Sequence, residues 1–201
     1  MNVLFICTGN TCRSPMAEAL INHKLPHATV QSAGIFAGQN QRANQTAIEA
    51  LNIEGITLDH RSQPVTDKLL HWSDLVLTMT TQHKQSLILH HPKFQEKYYT
   101  LKEYVSDADK EVWQELKTAY ANYQEKRSTF IQENQPKMDQ HTLEQQLTVY
   151  LREDIQTIQQ LESSLINYDI SDPFGGDLKV YQATLKELDM YIDQLVKKIE
   201  K

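Results

Sequence analysis

Residues 2–20 read NVLFICTGNTCRSPMAEAL and join an apolar run, a short polar loop and a helical pattern. Residues 2–6 are apolar and partly β-branched, which predicts a buried parallel strand. The loop contains Gly9, and a helix is predicted to follow with Ser14 as its N-cap and Pro15 in its first position. Such a strand, loop and helix N-terminus form an anion-binding arrangement, because backbone N–H groups converge there and the helix dipole adds partial positive charge.

The remaining sequence alternates between strand and helix patterns. The other predicted strands cover residues 28–33, 74–80 and 97–101. The other predicted helices of this part cover residues 44–51, 81–90 and 178–199. Alternation of this kind predicts an α/β fold in three layers, in which helices cover both faces of a parallel sheet.

The segment between residues 106 and 167 has a different composition, since it is rich in Gln, Glu and Lys and contains no Gly. Apolar residues recur at helical spacing on both sides of a break at residues 134–137. We therefore predict two antiparallel helices with a narrow apolar seam, a helical-hairpin insertion over residues 107–167. Such a hairpin would serve as a spacer or as an arm that binds a partner.

Charge and composition exclude several classes of partner. The net charge is −6 and the pI is about 5.7, so the chain has no basic footprint for nucleic acid or for an anionic membrane. No apolar run approaches the roughly 18 residues of a membrane span, and the N-terminus lacks the basic region of a signal peptide. Together with only two cysteines, this predicts a cytoplasmic protein with reduced thiols. The sequence does not indicate an oligomeric state.

The two cysteines point to chemistry. Cys7 opens the loop and Arg13 closes it, with five residues between them. A field that binds phosphate also favours a thiolate, and an arginine can grip two phosphoryl oxygens at once. Ser14 can donate a hydrogen bond to the sulfur. A single cysteine after a strand is more often a small core residue, but this spacing favours a nucleophile. The loop lacks the Gly-Lys-Ser/Thr ending of a nucleotide-binding loop.

At these residues the chain resembles the low-molecular-weight protein-tyrosine-phosphatase family, over about residues 1–105 and 168–200. The segments that carry the resemblance are Cys7–Ser14 with the following Pro-Met-Ala-Glu, Ser32-Ala33-Gly34, residues 74–80 and Asp172-Pro173-Phe174-Gly175-Gly176. The resemblance implies a four-stranded parallel sheet in the order 2-1-3-4. It also implies a two-step reaction through a phosphocysteine, without metal or other cofactor, on phosphorylated protein substrates. Residues 1–201 would then be a single phosphatase domain that carries the insertion.

The resemblance also assigns roles. Cys7, Arg13 and Asp172 match the catalytic residues, with Asp172 as the general acid. The substrate-binding residues would be Thr8, Gly9, Asn10, Thr11, Cys12, Ser14 and Phe174. His60 aligns with a histidine that supports the loop asparagine, here Asn10. An aspartate before proline is by itself more often a turn residue, so the role of Asp172 depends chiefly on the resemblance.

The chain differs at two positions from the tyrosine-directed members of the family, and both differences concern the choice of substrate. Position 11 is the polar Thr11, and Phe174 is followed by Gly175 rather than by a second aromatic ring. Both resemble the bacterial protein-arginine-phosphatase branch. A planar guanidinium can pair with Asp172, stack on Phe174 and approach Thr11, whereas a phosphotyrosine ring prefers apolar walls. We therefore expect hydrolysis of phosphoarginine on proteins, with phosphotyrosine as the alternative.

Two rival functions remain. Thioredoxin-linked arsenate reductases share the Cys-x5-Arg loop but need two further cysteines downstream, and none follows Cys12. A non-catalytic module that binds phosphorylated proteins is the other rival. It has no use for a nucleophile, and the set of Cys7, Arg13 and Asp172 therefore speaks against it.

Overall fold

The computed structural model describes residues 1–106 and 110–200, which form two compact units. The first unit contains residues 1–106 and 168–200. The second unit contains the described residues between 110 and 167.

The first unit is built on a four-stranded parallel sheet. Its strands are β1 (Asn2–Cys7), β2 (Thr29–Gly34), β3 (Leu75–Thr78) and β4 (Tyr98–Thr100). The strand order is β2-β1-β3-β4, which confirms the predicted order. The next strand along the chain, β2, lies on one side of β1, and the strand after it, β3, lies on the other side. The direction in which strands are added to the sheet therefore reverses at β1. Ligand sites of open α/β sheets lie at the carboxyl end of a strand at such a point, and Cys7 is the last residue of β1.

Helices cover both faces of this sheet, as predicted. They are α1 (Arg13–Lys24), α2 (Gln45–Ile53), α3 (Asp67–Trp72), α4 (Thr81–His90), α5 (Leu101–Val105) and α9 (Leu178–Ile199), with a 3₁₀ helix at Pro92–Lys97. Alternate residues of β1 enter opposite cores. Val3 and Phe5 pack with residues of α1 and α9, whereas Leu4 and Ile6 pack on the other face with residues of α3 and α4.

The predicted start of α1 is wrong. The helix begins at Arg13, its N-cap is Cys12, and no side chain caps it. Ser14 therefore lies inside the first turn, and Pro15 follows at the third helical position rather than the first. The reason is that the Ser14 hydroxyl lies 3.0 Å from the Cys7 sulfur and does not face the helix amides. Pro15 is tolerated there because N–H groups of the first turn have no intrahelical partner.

The second unit is helical but contains three helices where two were predicted. They are α6 (Lys110–Asn134), α7 (Gln140–Tyr150) and α8 (Arg152–Ser164). The break between α6 and α7 falls at the predicted place. The second predicted helix is divided at Leu151, whose φ of −93° and ψ of 5° depart from helical values. Glu153 and Asp154 then lie in the first turn of α8, where negative charge favours a new helix start.

The apolar seam of the second unit is narrow. Its buried residues are Leu116, Leu151 and Ile158. Phe130 and Tyr150 stack with their ring centroids 4.8 Å apart. Among the helices of residues 1–106 and 110–200, none combines the length and the apolar content that a membrane span requires.

Gly34 provides a test of how closely β2 approaches the loop that follows β1. A Cβ at this position would lie 2.6 Å from the Thr8 carbonyl oxygen and 2.8 Å from the Asn10 nitrogen. We expect Gly34→Ala to lower the free energy of unfolding by about 1–3 kcal/mol, because backbone rather than a flexible side chain must move. Urea denaturation measures this change. A Cβ on Gly9 would meet only Thr11 Oγ1, at 3.7 Å, so Gly9→Ala is the matched control. Equal stabilities of the two variants would contradict the close approach.

Candidate active site

The loop between β1 and α1 lines a cavity of about 350 Å³ at the carboxyl edge of the sheet. The cavity is lined by Cys7, Thr8, Gly9, Thr11, Cys12, Arg13, Gln41, Asp172 and Phe174. The structure therefore brings the three predicted catalytic residues to one cavity. The same cavity is lined by five of the predicted substrate-binding residues, which are Thr8, Gly9, Thr11, Cys12 and Phe174.

The loop curls around the Cys7 sulfur. The Asn10 N–H donates to this sulfur at 3.2 Å, and the Ser14 hydroxyl lies 3.0 Å from it. Asn10 Nδ2 donates to the Ser14 oxygen at 3.0 Å, and the Ser14 proton has two acceptors within reach, the Cys7 sulfur at 3.0 Å and the Ala33 carbonyl oxygen at 3.5 Å. Asn10 has a φ of +53°, a left-handed conformation that asparagine tolerates better than most residues and that turns the chain back over Cys7. The sulfur thus lies within hydrogen-bond distance of the Asn10 N–H and of the Ser14 hydroxyl.

Asn10 is fixed from the other side by a network that the sequence predicted in part. Its Nδ2 also donates to Ser32 Oγ at 2.8 Å, and its Oδ1 accepts from the Gln63 N–H at 2.9 Å. His60 Nε2 lies 3.1 Å from the Asn10 carbonyl oxygen and 3.2 Å from Oδ1. The predicted contact between His60 and Asn10 is therefore present, whereas Ser32 and Gln63 were not assigned to the network. Asn10 is completely buried, so each of these bonds satisfies a polar atom that water does not reach.

Burial shifts the pKa values of two titratable groups in this network, His60 and Glu18. Burial lowers the pKa of His60, and its hydrogen bond to Asn10 offsets part of that change. Burial likewise raises the pKa of Glu18, although the bond that it accepts from Ser32 at 2.6 Å acts in the opposite direction. Among the residues that line the cavity, the formal positive charge is that of Arg13.

Arg13 and Asp172 form an ion pair across the cavity. Arg13 Nη2 lies 2.7 Å from Asp172 Oδ2, and Nη1 donates to the Ile170 carbonyl oxygen at 3.3 Å. The Arg13 side chain is only 6% exposed, whereas that of Asp172 is 53% exposed. The guanidinium is therefore held in place by the protein, whereas the carboxylate is open to solvent.

The backbone next to Asp172 is anchored to α9. Glu187 Oε2 accepts from the Ser171 hydroxyl at 2.6 Å and from the Ser171 N–H at 3.1 Å. Glu187 also pairs with the buried Lys102 at 2.7 Å. Burial acts to raise the pKa of Glu187, but the bonds from Lys102 and Ser171 outweigh burial and lower it. A charged Glu187 thus fixes Ser171, and with it the position from which the Asp172 carboxylate reaches the cavity.

Phe174 and Cys12 lie at different depths of the cavity wall. The Phe174 ring is 75% exposed, and the Phe174 N–H donates to Asp172 Oδ1 at 3.1 Å, which closes a tight turn before Gly175. Cys12 is buried, and its sulfur lies 3.3 Å from the Tyr181 hydroxyl. Burial raises the pKa of Cys12, and its bonds to Tyr181 and Thr11 offset part of that rise. Of the two thiols, the one aimed at the centre of the loop is Cys7.

Besides Ser32 and Gln63, the sequence prediction missed Gln41 and His83. Gln41 lines the cavity from the connection between β2 and α2, which carries no motif. His83 lies at the start of α4 and contacts Thr8 at 2.9 Å. Its position could have been inferred, because α4 follows β3 and the carboxyl ends of parallel strands meet at one edge.

A parallel α/β sheet that places a cysteine sulfur, a buried arginine and an aspartate around one cavity at a helix N-terminus defines a cysteine-dependent phosphatase. The family model described as low molecular weight phosphotyrosine protein phosphatase matches residues 2–133. The chain belongs to this family.

Three similar proteins place the chain within the family. The protein-arginine-phosphatase of Bacillus subtilis (strain 168) is 32% identical over 100% of this chain and 98% of its own length. The low molecular weight protein-tyrosine-phosphatase PtpB of Staphylococcus haemolyticus (strain JCSC1435) is 37% identical over 53% of this chain and 76% of its own length. The solved structure of YwlE arginine phosphatase, as a C7S mutant with phosphorylated active site serine, covers 100% of this chain and 97% of its own, with a TM-score of 0.69 and 32% identity.

The Asn10 network predicts different outcomes for two substitutions. Asn10→Gly keeps access to the left-handed conformation but removes the side-chain bonds, whereas Asn10→Ala also introduces backbone strain of about 1–2 kcal/mol. We expect both variants to weaken binding of inorganic phosphate, measured by calorimetric titration, and the alanine variant to be the less stable one in urea.

Asn40, with a φ of +61°, is an exposed position for the matched control pair. Asn40→Gly and Asn40→Ala should differ in stability in the same direction but leave phosphate binding unchanged. Wild-type phosphate affinity in Asn10→Gly would show that the side-chain bonds do not shape the loop.

Proposed function

We propose that this chain is a protein phosphatase that hydrolyses phosphoarginine on proteins through a phosphocysteine intermediate at Cys7. The observation that carries the proposal is the Cys7 sulfur held by two donors in the same cavity as Arg13 and Asp172. The full-length similarity to a protein-arginine-phosphatase supports the choice of substrate.

In the first step, the Cys7 thiolate attacks phosphorus. The sulfur–phosphorus bond forms as the phosphorus–nitrogen bond of phosphoarginine breaks. Asp172, in its protonated form, gives its proton to the departing guanidine nitrogen. Arg13 and the loop N–H groups bind the equatorial phosphoryl oxygens, where charge must be stabilised during transfer.

In the second step, water attacks the phosphocysteine. The Asp172 carboxylate accepts a proton from this water, and the sulfur–phosphorus bond breaks to release inorganic phosphate. The Ser14 hydroxyl stabilises the departing thiolate, and the anchoring of Ser171 keeps Asp172 in place for both steps. No metal or other cofactor takes part in this scheme.

The preference for phosphoarginine follows from the rim of the cavity. Thr11 supplies a polar group where an apolar residue would leave guanidinium N–H groups without a partner, at a cost of about 1–3 kcal/mol. The exposed Phe174 side chain offers a ring face on which a planar cation can stack. Phosphotyrosine is the second candidate substrate, favoured by the similarity to PtpB over about half of the chain.

The remaining proposals concern the whole chain. We infer that residues 1–201 form a single phosphatase domain with an insertion over residues 107–167, because residues 1–106 and 168–200 together make one compact unit. Its substrates would be phosphorylated proteins rather than nucleic acids or membranes. The two free thiols fit a cytoplasmic, reducing compartment.

Turnover on paired substrates tests the proposed function. We expect the wild-type protein to release phosphate from phosphoarginine peptides with a kcat/KM at least about tenfold above that for phosphotyrosine peptides of the same sequence. Cys7→Ser should lose at least about 10³-fold in kcat, because a serine hydroxyl is a far weaker nucleophile than a thiolate. Equal turnover of the two substrates would contradict the substrate class, and an active Cys7→Ser would contradict the mechanism.

Substitution of Thr11 tests whether this residue of the cavity lining determines the choice of substrate. We expect Thr11→Ile to lower kcat/KM on phosphoarginine peptides by about ten- to a hundredfold, because the guanidinium loses a polar partner. On phosphotyrosine peptides the change should be smaller. Thr11→Ser, which keeps the hydroxyl, is the matched control and should retain the wild-type preference. A preference that Thr11→Ile leaves unaltered would remove Thr11 from substrate selection.

A further inference from the structure

His83 connects the phosphate loop to the start of α4 through two threonines. Its Nε2 lies 2.9 Å from Thr8 Oγ1, and its Nδ1 lies 2.9 Å from Thr80 Oγ1. Thr80 is also the N-cap of α4, since its oxygen accepts from the His83 N–H at 3.2 Å. His83 is 8% exposed, whereas Thr8 is exposed and lines the cavity. A buried ring therefore joins a fixed cap to a hydroxyl at the candidate active site.

We assign one direction to this chain of hydrogen bonds. The Thr80 oxygen accepts from the His83 N–H, and among the described residues His83 Nδ1, at 2.9 Å, is the acceptor within reach of the Thr80 proton. A ring that accepts at Nδ1 carries its proton at Nε2, and Nε2 then donates to Thr8 Oγ1. The Thr8 hydroxyl, as the acceptor of this bond, keeps its single proton for a partner in the cavity. In this arrangement each of the three groups both donates and accepts.

The charges around His83 maintain its neutral form. Burial lowers the pKa of His83 to about 4, and the positive charge of Arg13 acts in the same direction. The carboxylates of Asp169 and Asp172 act against these effects but do not outweigh them. We call these hydrogen bonds from Thr80 through His83 to Thr8 the relay. The relay requires a neutral ring, because a cationic ring would donate at both nitrogens and could not accept from Thr80.

We propose that His83 is a positioning residue that turns the Thr8 hydroxyl proton into the cavity, where it donates to a phosphoryl oxygen of the substrate. This inference rests on the proposed function, which supplies the phosphoryl group. It adds a side-chain donor to the loop N–H groups and Arg13. Thr8 would be in contact with the substrate, and His83 would act only through Thr8.

A double-mutant cycle with inorganic phosphate as the probe tests the relay without any need for turnover. Thr8→Val removes the hydroxyl at constant shape and should weaken phosphate binding by about ten- to a hundredfold in calorimetric titration. His83→Leu should weaken it to a smaller or equal extent, because the hydroxyl remains but loses its orientation. The double variant should bind phosphate no more weakly than Thr8→Val alone. Effects that multiply in the double variant would overturn the proposal.

Two further variants distinguish positioning from a general structural role. His83→Gln, whose amide N–H can reach towards Thr8, should recover part of the affinity lost in His83→Leu. Thr80→Val should weaken phosphate binding, whereas Thr66→Val, which removes the equivalent cap of α3, should not. An equal loss for the two cap variants, or no recovery in His83→Gln, would contradict the relay. Failure of the relay is distinguishable from failure of the proposed function, since wild-type turnover of phosphoarginine peptides tests the latter alone.

Discussion

The curl of the loop over the Cys7 sulfur is the constraint on which the rest of the site depends. It requires the left-handed conformation of Asn10 and the absence of a side chain on Gly34, because the loop passes within van der Waals distance of β2. With that geometry, the Asn10 N–H and the Ser14 hydroxyl both reach the sulfur. The helix N-terminus that follows then provides its dipole at the same point. A flatter loop would lose both the hydrogen bonds to the Cys7 sulfur and the converging backbone N–H groups of the loop.

The second constraint on the site is the ion pair between Arg13 and Asp172. Their ion pair of 2.7 Å keeps a buried guanidinium satisfied, which matters because an unpaired buried charge is costly. The pair is asymmetric, since Arg13 is fixed by the core and Asp172 is half exposed on a segment that Ser171 and Glu187 anchor. The guanidinium is thus fixed in the protein, whereas the carboxylate lies on the solvent side of the pair.

The sequence predicted those parts of the fold that depend on local pattern. The four predicted strands are present in the order that the resemblance implied. Cys7, Arg13 and Asp172, also assigned through the resemblance, line one cavity. The Ser14 cap was wrong because a tertiary contact with the sulfur overrides a local preference. Gln41 was missed because the connection that carries it has no motif, whereas His83 could have been inferred from its place just after β3. The division of the second unit at Leu151 likewise depends on one backbone conformation that helical spacing does not reveal.

An acidic protein can bind an anion only if its positive field is local. The net charge is −6, and the buried formal charge at the cavity is that of Arg13, to which backbone N–H groups add partial charges. The two histidines that contact the loop, His60 and His83, have lowered pKa values and are neutral around pH 7. They therefore act as directional hydrogen-bonding groups rather than as additional cations. A cationic histidine would attract phosphate but could no longer accept a hydrogen bond, so the lowered pKa of His83, about 4, leaves one ring nitrogen able to accept over the range in which a histidine usually titrates.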